Sequence, residues 1–180
     1  FTTPTLQATP PPPGAKVRIG VCPGAEYGPA KRWMPERFAE TMKAVAEHHD
    51  CEWILFGVPG DAPAGEAILA ALGSDFRGTV TNLIGKTSLG GLIDTLAGCR
   101  TLLTNDTGTM HLAAALSVPT VAIFGSTEPR LTGPLGPHHK VLRHQVECSP
   151  CFLRECPLDF RCMKAVTADE AAQALMTRLS

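Results

Sequence analysis

Asn105-Asp106-Thr107-Gly108-Thr109-Met110-His111 gathers an amide, a carboxylate, two hydroxyls and an imidazole around a glycine. It lies between an apolar run, Thr101 to Thr104, and the helix-forming Leu112-Ala113-Ala114-Ala115-Leu116. Strand, polar turn and helix in that order aim helix-start N–H groups beyond the strand end, where an anion suits them best. Asp106 is the expected N-cap and Gly108 lets a ligand approach the backbone. His111 falls four residues after Thr107 on the same helical face, where it can donate to a phosphate oxygen. A phosphate-bearing ligand is the chemistry these residue types fit. A plain cap and a structural histidine are the alternative, and capping is compatible with binding because the cap shapes the turn.

Other chemistries meet specific obstacles. Asp106-Thr107-Gly108 also spells the aspartic-protease signature, but that reaction needs two carboxylates sharing a proton, and the triplet occurs once, ahead of a helix. Gly60-Asp-Ala-Pro-Ala-Gly65 has P-loop glycine spacing, yet Glu66 and Ala67 stand where Lys and Ser or Thr are needed. Gly85-Lys86-Thr87 has the right ending, with Val80 in place of the first glycine. No Gly-x-Gly-x-x-Gly follows the first strand, which argues against a nicotinamide or flavin enzyme.

The elements that must position the motif follow from periodicity. Val17 to Cys22, Cys51 to Phe56, Val80 to Ile84, Thr101 to Thr104, Thr120 to Phe124 and a short run near Val141 read as strands. Helices are expected from Pro35 to His48, Ala64 to Leu72, Ser88 to Ala97 with Ser88 as cap, and Thr167 to Leu179 with Thr167 as cap. Apolar strands alternating with helices predict an α/β fold, a parallel sheet with helices on both faces. Ligands of such sheets sit beyond the carboxyl ends of the strands. That selects the loops Pro23 to Met34, Gly57 to Pro63, Gly85 to Ser88, Asn105 to His111 and Gly125 to Gly136. The first offers Gly24 and Gly28 for close approach and Lys31 as a mobile charge for phosphate, or else is an ordinary basic surface loop.

Composition narrows the classes further. A net charge of −1 and 6% aromatic residues leave no electrostatic or stacking footprint for nucleic acid. No apolar run nears the roughly 20 residues of a membrane span. Residues 1–15 form a Pro-rich linker, and residues 16–180 a single domain. A chain opening on a linker is expected to be part of something longer. Of seven cysteines, Cys22, Cys51 and Cys99 sit in or beside apolar segments, and the compartment reads as cytosolic. Cys148, Cys151, Cys156 and Cys162, in a loop spanning 148–162, could hold a structural zinc, remain reduced or form a labile disulfide.

Pro23-Gly-Ala-Glu-Tyr-Gly-Pro-Ala-Lys-Arg-Trp33, Gly85-Lys-Thr-Ser-Leu89, Asn105 to Leu116, Phe124-Gly-Ser-Thr-Glu-Pro129 and Gly133-Pro-Leu-Gly136, in this order, resemble the carboxyl-terminal half of the ADP-heptose:lipopolysaccharide heptosyltransferases, the heptosyltransferase II branch most of all. The resemblance runs from about Val17 to the end. It implies a Rossmann-like parallel sheet with helices on both faces, the donor-binding carboxyl-terminal half of a GT-B glycosyltransferase that moves L-glycero-D-manno-heptose from ADP-heptose to the lipopolysaccharide inner core with inversion. Its general base, an aspartate of the amino-terminal domain, lies outside this chain. By the same resemblance the donor pocket comprises Gly24, Ala25, Glu26, Tyr27, Lys31, Thr87, Asp106, Thr107, Gly108 and His111. Lys31 and His111 stabilise the leaving diphosphate, no divalent metal is required, and the family works in the cytoplasm at the inner membrane, with membrane contact reserved for the full-length protein. A non-catalytic nucleotide-binding module is the alternative reading.

Overall fold

A computed structural model describes residues 16–179. The Pro-rich opening, residues 1–15, lies outside the described residues. Six strands, β1 (Val17–Cys22), β2 (Cys51–Leu55), β3 (Thr79–Asn82), β4 (Thr101–Asn105), β5 (Thr120–Ile123) and β6 (Lys140–Leu142), form one sheet in the order β3-β2-β1-β4-β5-β6. Every pairing is parallel. This is a Rossmann-like fold, and its strand order reverses between β1 and β4, which places the first loop beside the 105–111 motif.

Because side chains alternate along a strand, each strand feeds two cores. Ile19, Val21, Trp53, Leu55, Leu103, Val121 and Ile123 face helices α1 (Pro35–Ala46), α2 (Ala62–Leu72) and α7 (Ala168–Leu179), which supply Phe38, Met42, Val45, Ile68, Leu72 and Leu175. Cys22, Ile54, Phe56 and Leu102 face α3 (Leu89–Ala97) and α4 (Gly108–Ala115), which supply Leu96 and Ala113. Two four-residue turns of helix, α5 (Pro129–Thr132) and α6 (Arg161–Lys164), lie in the segments after β5 and β6.

The caps follow the sequence. Ser88 Oγ accepts from the N–H of Gly91 at 3.2 Å, starting α3. Thr167 and Glu170 form a reciprocal capping box for α7: the N–H of Thr167 donates to Glu170 at 2.9 Å, and the N–H of Glu170 to Thr167 Oγ1 at 3.2 Å. β3 ends at Asn82, two residues short of the expected Ile84, because Asn82 Oδ1 turns back to accept from the N–H of Ile84 at 3.1 Å.

Candidate functional site

The first loop is fixed to the end of β4 by Asn105, which is fully buried. Its Nδ2 donates to Pro23 O at 2.7 Å and its Oδ1 accepts from the N–H of Trp33 at 3.1 Å, so one amide holds both ends of the loop. Trp33 anchors the far end: it is 1% exposed, meets Phe38 edge-on at 5.0 Å, and donates from Nε1 to Val166 O at 3.2 Å.

Lys31 rides on this clamped loop. Its Nζ lies 2.6 Å from Asp106 Oδ2, with the two side chains 11% and 5% exposed. The same oxygen accepts from Thr127 Oγ1 at 2.7 Å and from Thr132 Oγ1 at 3.1 Å. Nζ also sits 4.8 Å from the centre of the Tyr27 ring. Three loops therefore converge on one carboxylate oxygen, and the lysine read as mobile is held in place.

This corrects the reading of Asp106 as a helix cap. The N-cap of α4 is Thr107, in extended conformation and with no side-chain capping bond. Three donors from two other loops, one of them charged, outcompete a single helix-start N–H for the Asp106 carboxylate.

Around the start of α4 the remaining expected residues divide into two groups. Glu26, Thr87 and Thr107 line one cavity of about 280 Å³, together with Cys22, Gly57, Val58, Asp61, Ser88, Leu89, Leu92 and Thr109. The cavity thus draws on the loops that follow β1 to β4, at the carboxyl edge of the sheet. Gly24, Ala25, Tyr27, Lys31, Asp106, Gly108 and His111 are not in its wall. Gly24 is buried against Asp61, whose carboxylate would collide with any Cβ there. The space beside Gly108 is open, as close ligand approach requires. His111 is exposed on the first turn of α4.

Sequence reasoning missed Asp61, Thr127 and Thr132. Asp61 is 7% exposed, accepts from the N–H of Val58 at 3.0 Å and lies 3.8 Å from Arg32. In the sequence it stands only as the residue after a P-loop-like glycine. Thr127 was legible as part of the Phe124-to-Pro129 block, but nothing local marks its partner. A larger cavity of about 940 Å³ opens at the other edge of the sheet among Val17, Arg18, Arg100, Leu116 and Pro119. It lies at the amino ends of the strands, away from where such sheets bind ligands.

The four clustered cysteines are free thiols, Cys162 buried and the other three half-buried. Among the described residues no group of three or more His, Cys, Asp or Glu side chains is arranged to hold a metal ion.

A Rossmann-like sheet with its polar loops gathered at the β1/β4 switch point is the half-molecule architecture of GT-B glycosyltransferases. The model of glycosyltransferase family 9 (heptosyltransferase) matches residues 3–161, and the chain belongs to that family. It is 44% identical over 125 residues to lipopolysaccharide heptosyltransferase 2 of Salmonella typhimurium, a match covering 69% of this chain and 36% of that protein. Lipooligosaccharide heptosyltransferase 2 of Haemophilus influenzae is 41% identical over 130 residues, 72% of this chain and 37% of its own length. The solved ADP-heptose lipopolysaccharide heptosyltransferase II of E. coli superposes with a TM-score of 0.79 at 35% identity, over 92% of this chain and 47% of that one. The chain thus spans between about a third and a half of the length of these relatives.

Proposed function

We propose that this chain is the donor-binding half of an inverting heptosyltransferase that takes ADP-heptose and passes its L-glycero-D-manno-heptose to the lipopolysaccharide inner core. The observation that carries the reading is the meeting of Lys31 with the start of α4 at the switch point, beside a cavity of about 280 Å³. That volume is near the lower end of small-ligand pockets, roughly 300–1,000 Å³. Membership of family 9 and likeness to a protein named for ADP-heptose supply the ligand class.

In this reading the nucleotide occupies the cavity lined by Glu26, Thr87 and Thr107, and Gly24, Ala25 and Tyr27 shape its approach. The diphosphate lies across the N–H groups of Thr107 and Gly108. Charge develops on that diphosphate as the sugar departs. Lys31, with two ammonium protons not engaged by Asp106, and His111 stabilise it electrostatically, with no divalent metal called for. Asp106 keeps Lys31 placed. The base that deprotonates the acceptor hydroxyl belongs to the facing amino-terminal domain of the full-length protein, which also binds the acceptor. The whole enzyme works in the cytoplasm at the inner membrane.

Calorimetry of the chain with ADP and ADP-heptose tests the reading. Binding is expected, weakened by about 1–3 kcal/mol in Lys31→Ala and in His111→Ala. Unchanged affinity in both variants overturns the site. Binding of ADP with no preference for the heptose form favours a non-catalytic nucleotide module instead.

A further inference from the structure

Four of the seven cysteines take no part in the donor site, yet the fold brings them to one place. From the end of β6 at Leu142 to the start of α6 at Arg161 the chain has neither helix nor strand. This stretch leaves Phe152, Leu153 and Leu158 exposed instead of burying them in a core of its own. Irregular segments of that length hold one course only when something ties them down. The candidate tie is at hand: Cys148, Cys151, Cys156 and Cys162 line a single cavity of about 50 Å³, whose other walls include Ala30, Leu153, Leu158, Phe160 and Arg161, the last already paired with Asp159 at 2.9 Å.

A second observation points to an occupant. Ser126 lines the same cavity, is 1% exposed, and its Oγ has no hydrogen-bond partner among the described residues. A buried hydroxyl without a partner is unfavourable, and a hydroxyl beside the cysteines can donate to a thiolate sulfur. The N–H of Phe160 already donates to Cys156 Sγ at 3.4 Å. The void also exceeds the roughly 10–15 Å³ that a single water needs.

We propose that Cys148, Cys151, Cys156 and Cys162 bind one thiophilic divalent ion, zinc or ferrous iron, as a four-thiolate centre. Each thiol loses its proton to solvent as its sulfur bonds the metal, with no change of oxidation state. In the present structure the four cysteines line the void without being arranged to hold an ion, so the proposed binding must draw them inward along the irregular backbone between them. Ser126 Oγ and the N–H of Phe160 then offset the excess negative charge on the sulfurs.

The centre lies against both phosphate-side loops. Tyr27 Oη donates to Phe152 O at 2.7 Å, Arg154 Nε donates to Tyr27 O at 2.7 Å, and the N–H of Ala30 donates to Arg154 O at 3.0 Å. Ser126 O accepts from the N–H groups of Cys151 and Phe152 at 3.1 and 2.8 Å. The metal-tied segment thus braces the loop that carries Lys31 and the loop that carries Thr127.

Metal analysis of the chain purified anaerobically under reducing conditions tests this, and none of its readouts depends on nucleotide. About one zinc or iron per chain is expected, lost in Cys148→Ser and Cys156→Ser but kept in Cys51→Ser. Because a Cys→Ser variant could simply misfold, the wild-type chain is also stripped with chelator. Four thiols should become newly reactive and amide exchange over 24–34 should quicken, both reversed by adding back zinc or ferrous ion. A chain that holds neither metal as purified nor after titration, or whose four cysteines prove to be paired as disulfides, overturns the proposal; a chain that binds metal but not ADP sinks only the donor reading.

Discussion

Asp106 shows how much one carboxylate oxygen can be asked to hold. Lys31, Thr127 and Thr132 all donate to its Oδ2, and at 5% exposure it has little water to fall back on. The pair is unequal in a way that mutation can read. Asp106→Ala leaves the Lys31 ammonium nearly buried without its counter-charge, a loss of about 3–5 kcal/mol in urea unfolding. Lys31→Ala leaves Asp106 with two threonine hydroxyls still donating, so its loss should be clearly smaller. Equal losses would show that the two threonines contribute nothing to holding the charge. Nothing in the sequence near Asp106 foretold this network, because Lys31 is 75 residues away, Thr127 21 and Thr132 26. Helix-cap chemistry is local and readable, and that is why the sequence alone points to a cap at this residue.

At the scale of elements the sequence was far more legible, and the reason is the short range of the signals. Strands β1, β2, β4 and β5 are mainly apolar because both of their faces are largely covered, the charged exceptions Arg18 and Glu52 pairing with each other at 2.9 Å, and Ser88 and Thr167 announce α3 and α7 through bonds within three residues. The loops lie at the carboxyl edge as the sequence predicts, whereas the clamp of Asn105 on the first loop arises only when β1 and β4 pair, and the burial of Asp61 against Gly24 only when β1 and β2 pair. The cap of α7 carries a prediction at this scale. Thr167→Ala removes one side of the capping box while leaving the packing of Leu175 against the core intact, so stability should fall by about 1 kcal/mol with an unchanged denaturant slope. A fall several times larger would mean that α7 undocks from α1 and the sheet when its cap is lost.

Across the whole molecule, the face of the sheet that carries α3 and α4 buries two thiols the site does not use for chemistry, Cys22 at the carboxyl edge and Cys99 beside the amino edge. Burial pushes the Cys22 thiol up to about 11 from 9.0, against opposing hydrogen bonds from Thr109 and Thr104. Burial likewise pushes Cys99 up to about 12, with the Arg18 charge opposing it. Between pH 9 and about 11 to 12 the unfolded chain gives up these protons and the folded chain keeps them, so the unfolded state binds fewer protons and stability falls as pH rises through that window. Below pH 9 the two thiols add no slope. A Cys22→Ala, Cys99→Ala double variant should lose markedly less stability than wild type between pH 8.5 and 11, measured by chemical denaturation at each pH, although lysine and tyrosine titration lowers both curves. Superimposable curves would show that the two thiols ionise as freely in the folded chain as in the unfolded one.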